Sequence, residues 1–175
     1  ALTFDPLPAT VHRPDRPVRL GATLEVRFDR LAAAGIDAVF VQHYSLEYAQ
    51  SNAREFVERQ LLGQLHAAAV VVGEDVRFGK GNEGDGELLV RLGRELGFDV
   101  VLLSDLGDDE GRRWSSTWVR ELLQAGDVAK VAQILGRPHR LRGEVVHGFQ
   151  RGRQLGFPTA NLRGDTLGEV PADGV

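Results

Sequence analysis

Residues 137–161 read RPHRLRGEVVHGFQRGRQLGFPTAN, and the reading of this stretch decides how the chain divides. Arginines at 137, 140, 142, 151 and 153 stand against a single acid, Glu144, and Arg163 follows shortly after. Glycine recurs at 143, 148, 152 and 156. No helical periodicity runs through the stretch. Val145 and Val146, set between Gly143 and Gly148, read as a short strand, and the glycine spacing is the punctuation of a β-barrel or β-sandwich. Gly136-Arg137-Pro138 is therefore taken as a boundary. Residues 1–136 form one domain, and residues 137–175 open a second, β-barrel domain.

Upstream of that boundary the pattern is different. Leu2-Thr3-Phe4 predicts a strand, stopped by Asp5-Pro6-Leu7-Pro8 and followed by a proline-broken loop through Pro14 and Pro17. Leu24, Phe28 and Leu31 fall at i, i+4 and i+7 and predict a helix over 23–34. A strand is expected at 38–41, a helix at 52–65, a strand at 69–72, a helix at 87–96 and a strand at 100–103. The unbroken run Ala69-Val70-Val71-Val72 predicts a strand covered on both faces. A helix following Ser115-Ser116-Thr117 and another over 128–135, capped by Asp127, complete the domain. Strands alternating with helices define an α/β fold with a mainly parallel sheet. Such sheets place ligands beyond the C-terminal ends of their strands, here at Asp5, His43, Gly73 and Ser104.

The charge is uneven. The whole chain of 175 residues has a formal net charge of −4. Residues 1–136 carry a net of −6 and residues 137–163 a net of +5. An acidic protein with one basic segment is no general nucleic-acid binder, and that segment suits a small anionic ligand. The absence of cysteine excludes disulfides and thiolate metal sites. No apolar run approaches the length of a membrane span and no signal peptide is visible, so a cytoplasmic protein without membrane contact is expected. The chain contains no methionine, begins inside a strand and ends without a closing element, and is read as a fragment.

Three stretches carry chemistry. Ser115-Ser116-Thr117-Trp118-Val119-Arg120 opens a helix with hydroxyls. First-turn amides and the helix dipole attract anions, and Arg120 leans back toward Ser116 and Thr117. The same residues also read as a plain cap with a solvated arginine. Residues 73–85 follow a buried strand and contain a literal G-x-G-x-x-G at Gly79, Gly81 and Gly84. That is the spacing of a dinucleotide fingerprint, but it starts seven residues past Val72, too far for the tight strand-to-helix turn. A ligand loop with Asp75 and Phe78 near the strand end is the better reading, and a charged surface loop the plain one. Gly156-Phe157-Pro158-Thr159-Ala160-Asn161 sets a hydroxyl and an amide oxygen on one face of an extended segment. This suits magnesium-bound polyphosphate or an ordinary turn.

In order along the chain, Thr3-Phe4-Asp5-Pro6-Leu7-Pro8, the segment from Val72 to Gly79, Ser115 to Arg120, and the run from Gly143 through Asn161 to Pro171-Ala172-Asp173-Gly174 resemble the bacterial bifunctional riboflavin kinase/FMN adenylyltransferases, or prokaryotic FAD synthetases. The resemblance implies a Rossmann-like nucleotidyltransferase domain over 1–136, lacking its N-terminal part. A riboflavin kinase β-barrel would begin at 137–175, lacking its C-terminal part. The first would transfer AMP from ATP to FMN, releasing pyrophosphate and giving FAD. The second would phosphorylate riboflavin to FMN with ATP and Mg2+. It implies that Ser116, Thr117 and Arg120 act catalytically on the ATP phosphates. Phe4, Gly73, Asp75 and Phe78 would border flavin and nucleotide, while Thr159 and Asn161 would bind magnesium and ATP. Partners would be small-molecule substrates, with homo-oligomerisation left open.

Leu7 and Val76 depart from the family pattern, which usually has histidine and an aromatic there. The family's His-x-Gly-His motif and its kinase glutamate are absent from the chain, so the chain as written is expected to be inactive in both reactions. Two other readings stay open: a dinucleotide-binding protein built on Gly79, Gly81 and Gly84, and a non-catalytic flavin-binding remnant.

Overall fold

A computed structural model describes residues 1–15, 23–148, 152, 156–157, 160–163 and 168–173. Helix α1 (Pro8–His12) starts where the sequence predicts only a proline-broken loop. The expectation fails because Pro8 occupies the first turn, where a missing N–H costs nothing and its fixed φ already suits a helix. The remaining α-helices start on short polar side chains that accept a first-turn amide. Thr23 Oγ1 accepts the Val26 N–H at 3.4 Å and opens α2 (Leu24–Ala33). Asn52 Oδ1 accepts the Glu55 N–H at 2.8 Å and opens α3 (Ala53–Phe56). Over Val57–Gln64 that helix continues in wider π-type turns. Asp85 caps α4 (Gly86–Leu96), Ser115 caps α5 (Ser116–Gln124) and Asp127 caps α6 (Val128–Leu135).

Strand β1 (Leu2–Asp5) pairs in parallel with β2 (Phe40–His43), with Leu2 opposite Phe40. Strand β3 (Ala69–Gly73) pairs in parallel with β4 (Asp99–Leu103), with Ala69 opposite Asp99. Strand β5 (Val145–Val146) pairs antiparallel with β6 (Asn161–Leu162). Among the described residues the parallel strands form two separate pairs rather than one sheet.

The chain falls into two compact units, Ala1–Pro17 with Ala38–Arg113, and Val18–Asp37 with Trp114–Val175. The first is built on Val57, Leu61, Leu89, Leu92 and Phe98, all buried, with Val70, Val72 and Val100 packed against them. Each such side chain, fully buried, adds about 1.5–3 kcal/mol relative to leaving it in water. Leu89 and Leu92 project from α4, and Val57 and Leu61 from the π-type segment, so helices cover one face of β3–β4. Among the described residues the other face is exposed: Val71, Val101 and Leu103 are 58%, 46% and 53% accessible. The expectation of a strand buried on both sides is thus corrected, because a run of valines cannot by itself distinguish one covered face from two.

The second unit gathers α2, α5, α6 and the β5–β6 ladder. Among its described residues the buried apolar ones are Trp118, Leu123 and Val131. The Lys130 ammonium lies 5.8 Å from the centre of the Trp118 ring. Ala172 donates its N–H to the Leu123 carbonyl at 2.8 Å, and Gln124 Nε2 donates to the buried Glu169 carboxylate at 3.3 Å, which fixes the segment 168–173 to α5.

Candidate functional site

In the first unit the C-terminal ends of β1 and β2 carry an aromatic group. Phe4, in β1, meets Tyr44 edge to face with ring centres 5.5 Å apart, and Tyr48 at 6.0 Å. The Tyr44 hydroxyl shares a hydrogen bond of 2.9 Å with His12 Nε2. Tyr48 donates to Gln60 Oε1 at 3.2 Å, and the Arg59 guanidinium lies over its ring while donating to Ser51 Oγ at 2.8 Å. Burial pushes the Tyr48 hydroxyl up to about 12, so it remains a donor across the physiological range. Of these, Tyr48, Ser51, Arg59 and Gln60 border a polar cleft of about 360 Å³ that also includes Gln42, His43 and Gln64. Sequence reading singled out Phe4 but not the two tyrosines, although it named the loop after His43.

The loop after β3 holds the next group. Gly73 ends the strand opposite Leu103. Asp75 forms an ion pair with Arg113, whose Nε also reaches Asp105 Oδ2 at 2.9 Å. The hydrogen bond from Arg113 holds the Asp75 carboxyl below the usual carboxylate range. Phe78 packs on Phe56 with centroids 5.7 Å apart. Phe56 falls in the helix expected over 52–65, and nothing in the sequence gives it a site role.

The three glycines of the G-x-G-x-x-G match shape this loop. Phe78 and Gly84 exchange backbone hydrogen bonds of 3.1 and 2.9 Å, and a methyl on Gly84 would sit 2.7 Å from the Phe78 ring. Helix α4 does not start on these glycines but on Asp85, whose carboxylate already accepts the Leu88 amide at 2.8 Å. A carboxylate in that position repels a pyrophosphate, so the arrangement is not the phosphate turn of a dinucleotide fold.

In the second unit, Ser115 Oγ accepts the Trp118 N–H at 3.1 Å and so completes the cap of α5. Ser116 and Thr117 stand on the first turn, exposed, with amides that have no acceptor inside the helix. Arg120 turns back one turn and donates from Nη2 to Thr117 Oγ1 at 3.2 Å. Hydroxyls, amide donors and a guanidinium therefore share one helix end, as an anion requires.

Asn161 lies on β6 opposite Val146, exposed, and a methyl on Gly148 would collide with its amide. Thr159 lies outside the described residues. Among the described residues no group of three or more His, Asp or Glu could hold a metal. The described half of the Thr159–Asn161 pair, one exposed amide oxygen, does not by itself fit a magnesium ion.

The parallel strand pairs and the helices between them define an α/β protein, consistent with the nucleotidyltransferase-like class. A family model described as FAD synthetase matches residues 1–118, and one described as riboflavin kinase matches residues 135–175. The chain belongs to the FAD synthetase family. It is 37% identical over 162 residues to the bifunctional riboflavin kinase/FMN adenylyltransferase of Escherichia coli K12, covering 92% of this chain and 51% of that protein. To the protein of the same description from Listeria monocytogenes it is 34% identical over 177 residues, covering 99% and 55%. The chain thus spans about half the length of the curated relatives it matches. A crystal structure described as a macrolide-efflux protein from Streptococcus pneumoniae superimposes with a TM-score of 0.82 at 29% identity, covering 99% of this chain and 56% of that one. No helix among the described residues is long and apolar enough to cross a membrane.

Proposed function

We propose that residues 1–136 bind ATP and FMN for adenylyl transfer and that residues 137–175 open the β-barrel that phosphorylates riboflavin. In the transfer an oxygen of the FMN phosphate attacks the α-phosphorus of ATP. The bond from that phosphorus to the bridging oxygen breaks, pyrophosphate leaves and FAD forms. Positioning and charge stabilisation do most of this work. Ser116, Thr117 and Arg120 are assigned to the phosphates. Phe4, Gly73, Asp75 and Phe78, joined by Phe56, are assigned to the flavin and nucleotide. Asn161 and Thr159 are assigned to the nucleotide of the kinase step. ATP and flavin substrates suit a cytoplasmic setting.

The observation that carries this reading is the return of the Arg120 guanidinium onto the exposed hydroxyl start of α5. A cap needs only Ser115, and that residue caps the helix without help. Arg120→Ala in the full-length protein is expected to lower kcat/KM for ATP in adenylation by about 100-fold, the usual cost of losing one charged donor at a reacting phosphate. Riboflavin phosphorylation by the same protein is expected to be unchanged. Equal loss in both reactions, or none in adenylation, would remove Arg120 from this role.

One observation favours a second reading, a flavin-binding protein without transfer activity. Leu7 caps α1 with no side-chain hydrogen bond at the position where the family usually has histidine. Product analysis after incubating the full-length protein with riboflavin, ATP and magnesium separates the two, since formation of both FMN and FAD excludes the non-catalytic one.

A further inference from the structure

We propose that Glu83 is a positioning residue that latches the loop after β3 onto the start of α3 and thereby sets Phe78 against Phe56. This rests on the reading above in its narrower form, in which Phe78 borders the flavin rather than ATP. Glu83 Oε1 accepts the Ala53 N–H at 2.7 Å. Ala53 is the first residue of α3, and its amide is one that the intrahelical ladder leaves without an acceptor. Asn52 and Glu55 satisfy each other's amides in a reciprocal cap, so Glu83 supplies from another element the acceptor that this cap does not provide. A carboxylate there also meets the positive end of the helix dipole.

The latch has a second point. The Lys80 N–H donates to the Ser51 carbonyl at 2.8 Å. Just before both points the loop passes so close that a methyl on Gly79 would sit 2.7 Å from both the backbone N and the Cα of Ala53. Phe56 lies one turn beyond Ala53 on the same helix, and Phe78 is the residue before Gly79. The register of the loop on the helix therefore fixes how the two rings meet. Glu83 itself need not touch a substrate. Its effect passes through the loop to Phe78.

The test uses Glu83→Ala, Glu83→Gln and Phe78→Ala in the full-length protein. Each is read by KM and kcat for FMN and for ATP in adenylation, by quenching of FMN fluorescence on titration, and by riboflavin phosphorylation. Glu83→Ala is expected to raise KM for FMN and its dissociation constant by about tenfold, the size of one hydrogen bond to a charged group. KM for ATP and the kinase rate should stay unchanged. Glu83→Gln keeps an oxygen acceptor and is expected to recover most of the affinity. Loss of affinity for FMN and ATP alike, or no rescue by glutamine, would reduce Glu83 to a general fold contact and overturn the proposal. If Phe78→Ala weakens FMN while Glu83→Ala does not, the latch is wrong and the flavin assignment stands. If neither weakens FMN, the assignment of Phe78 fails and the latch with it.

Discussion

Arg113 shows how much a single side chain can organise. It spans two carboxylates, Asp75 after β3 and Asp105 after β4, and so ties together the two loops at the C-terminal end of that strand pair. Both partners are substantially exposed, so the tie orders the loops more than it stabilises the fold. Asp75 has its carboxyl held low by the hydrogen bond from Arg113. A group depressed in this way contributes stability above its unfolded pKa and loses it as pH falls through the folded value, here below about 4. Arg113→Gln is expected to return the Asp75 titration upward into the usual carboxylate range, followed by carbon NMR of its side-chain carboxyl. An unmoved titration would mean that the pair does not persist in solution. None of this was legible in the sequence, where Asp75 and Arg113 stand 38 positions apart. Asp75 was found from its place after a strand, but its partner needed the fold.

At the level of elements the sequence was most readable where a polar cap precedes an apolar period. Thr23, Asn52, Ser115 and Asp127 each mark a helix start within about one residue of the expected place. The start of α5 matters twice, because the residue that caps it differs from those assigned to the phosphates. Ser115→Ala removes the acceptor of the Trp118 amide and is expected to cost about 1 kcal/mol, measured by urea unfolding. Ser116→Ala leaves that cap intact and should change stability far less. Equal costs would show that Ser116 also serves the fold. Helix α1 and the π-type turns were not legible. Pro8 looks like a breaker in the sequence, but it sits in the first turn, where the bar to proline inside helices does not hold. The π-type turns leave no local signature separate from ordinary helical spacing.

Across the whole molecule, alternation of strands and helices announced an α/β fold, and the basic glycine-rich stretch suggested a change after Gly136, inside the unit that contains Trp114–Val175. Neither could show that α2 joins the unit of α5 and α6 rather than that of the strands on either side of it, since that grouping rests on contacts between residues far apart in sequence. Nor could they show that β3–β4 leaves Val71, Val101 and Leu103 open, with Val71 and Leu103 each more than half exposed. In the pairing register Val71 lies beside Val101, and Leu103 follows two residues on, so these residues form one apolar strip. Charge opposes the association of such strips when the protein is far from neutral. The sequence pI is about 5.7 and the net charge near pH 7 is −4. Repulsion is therefore present at neutral pH and vanishes as pH approaches 5.7. Light scattering by this chain is expected to rise toward that pH and fall again above it. The double substitution Val71→Thr and Val101→Thr keeps the charge and the strand preference while removing apolar surface. It is expected to flatten the maximum without shifting its position. A maximum that survives the double substitution would assign the association to charge neutrality alone, and the absence of any maximum would show that the strip is covered in solution.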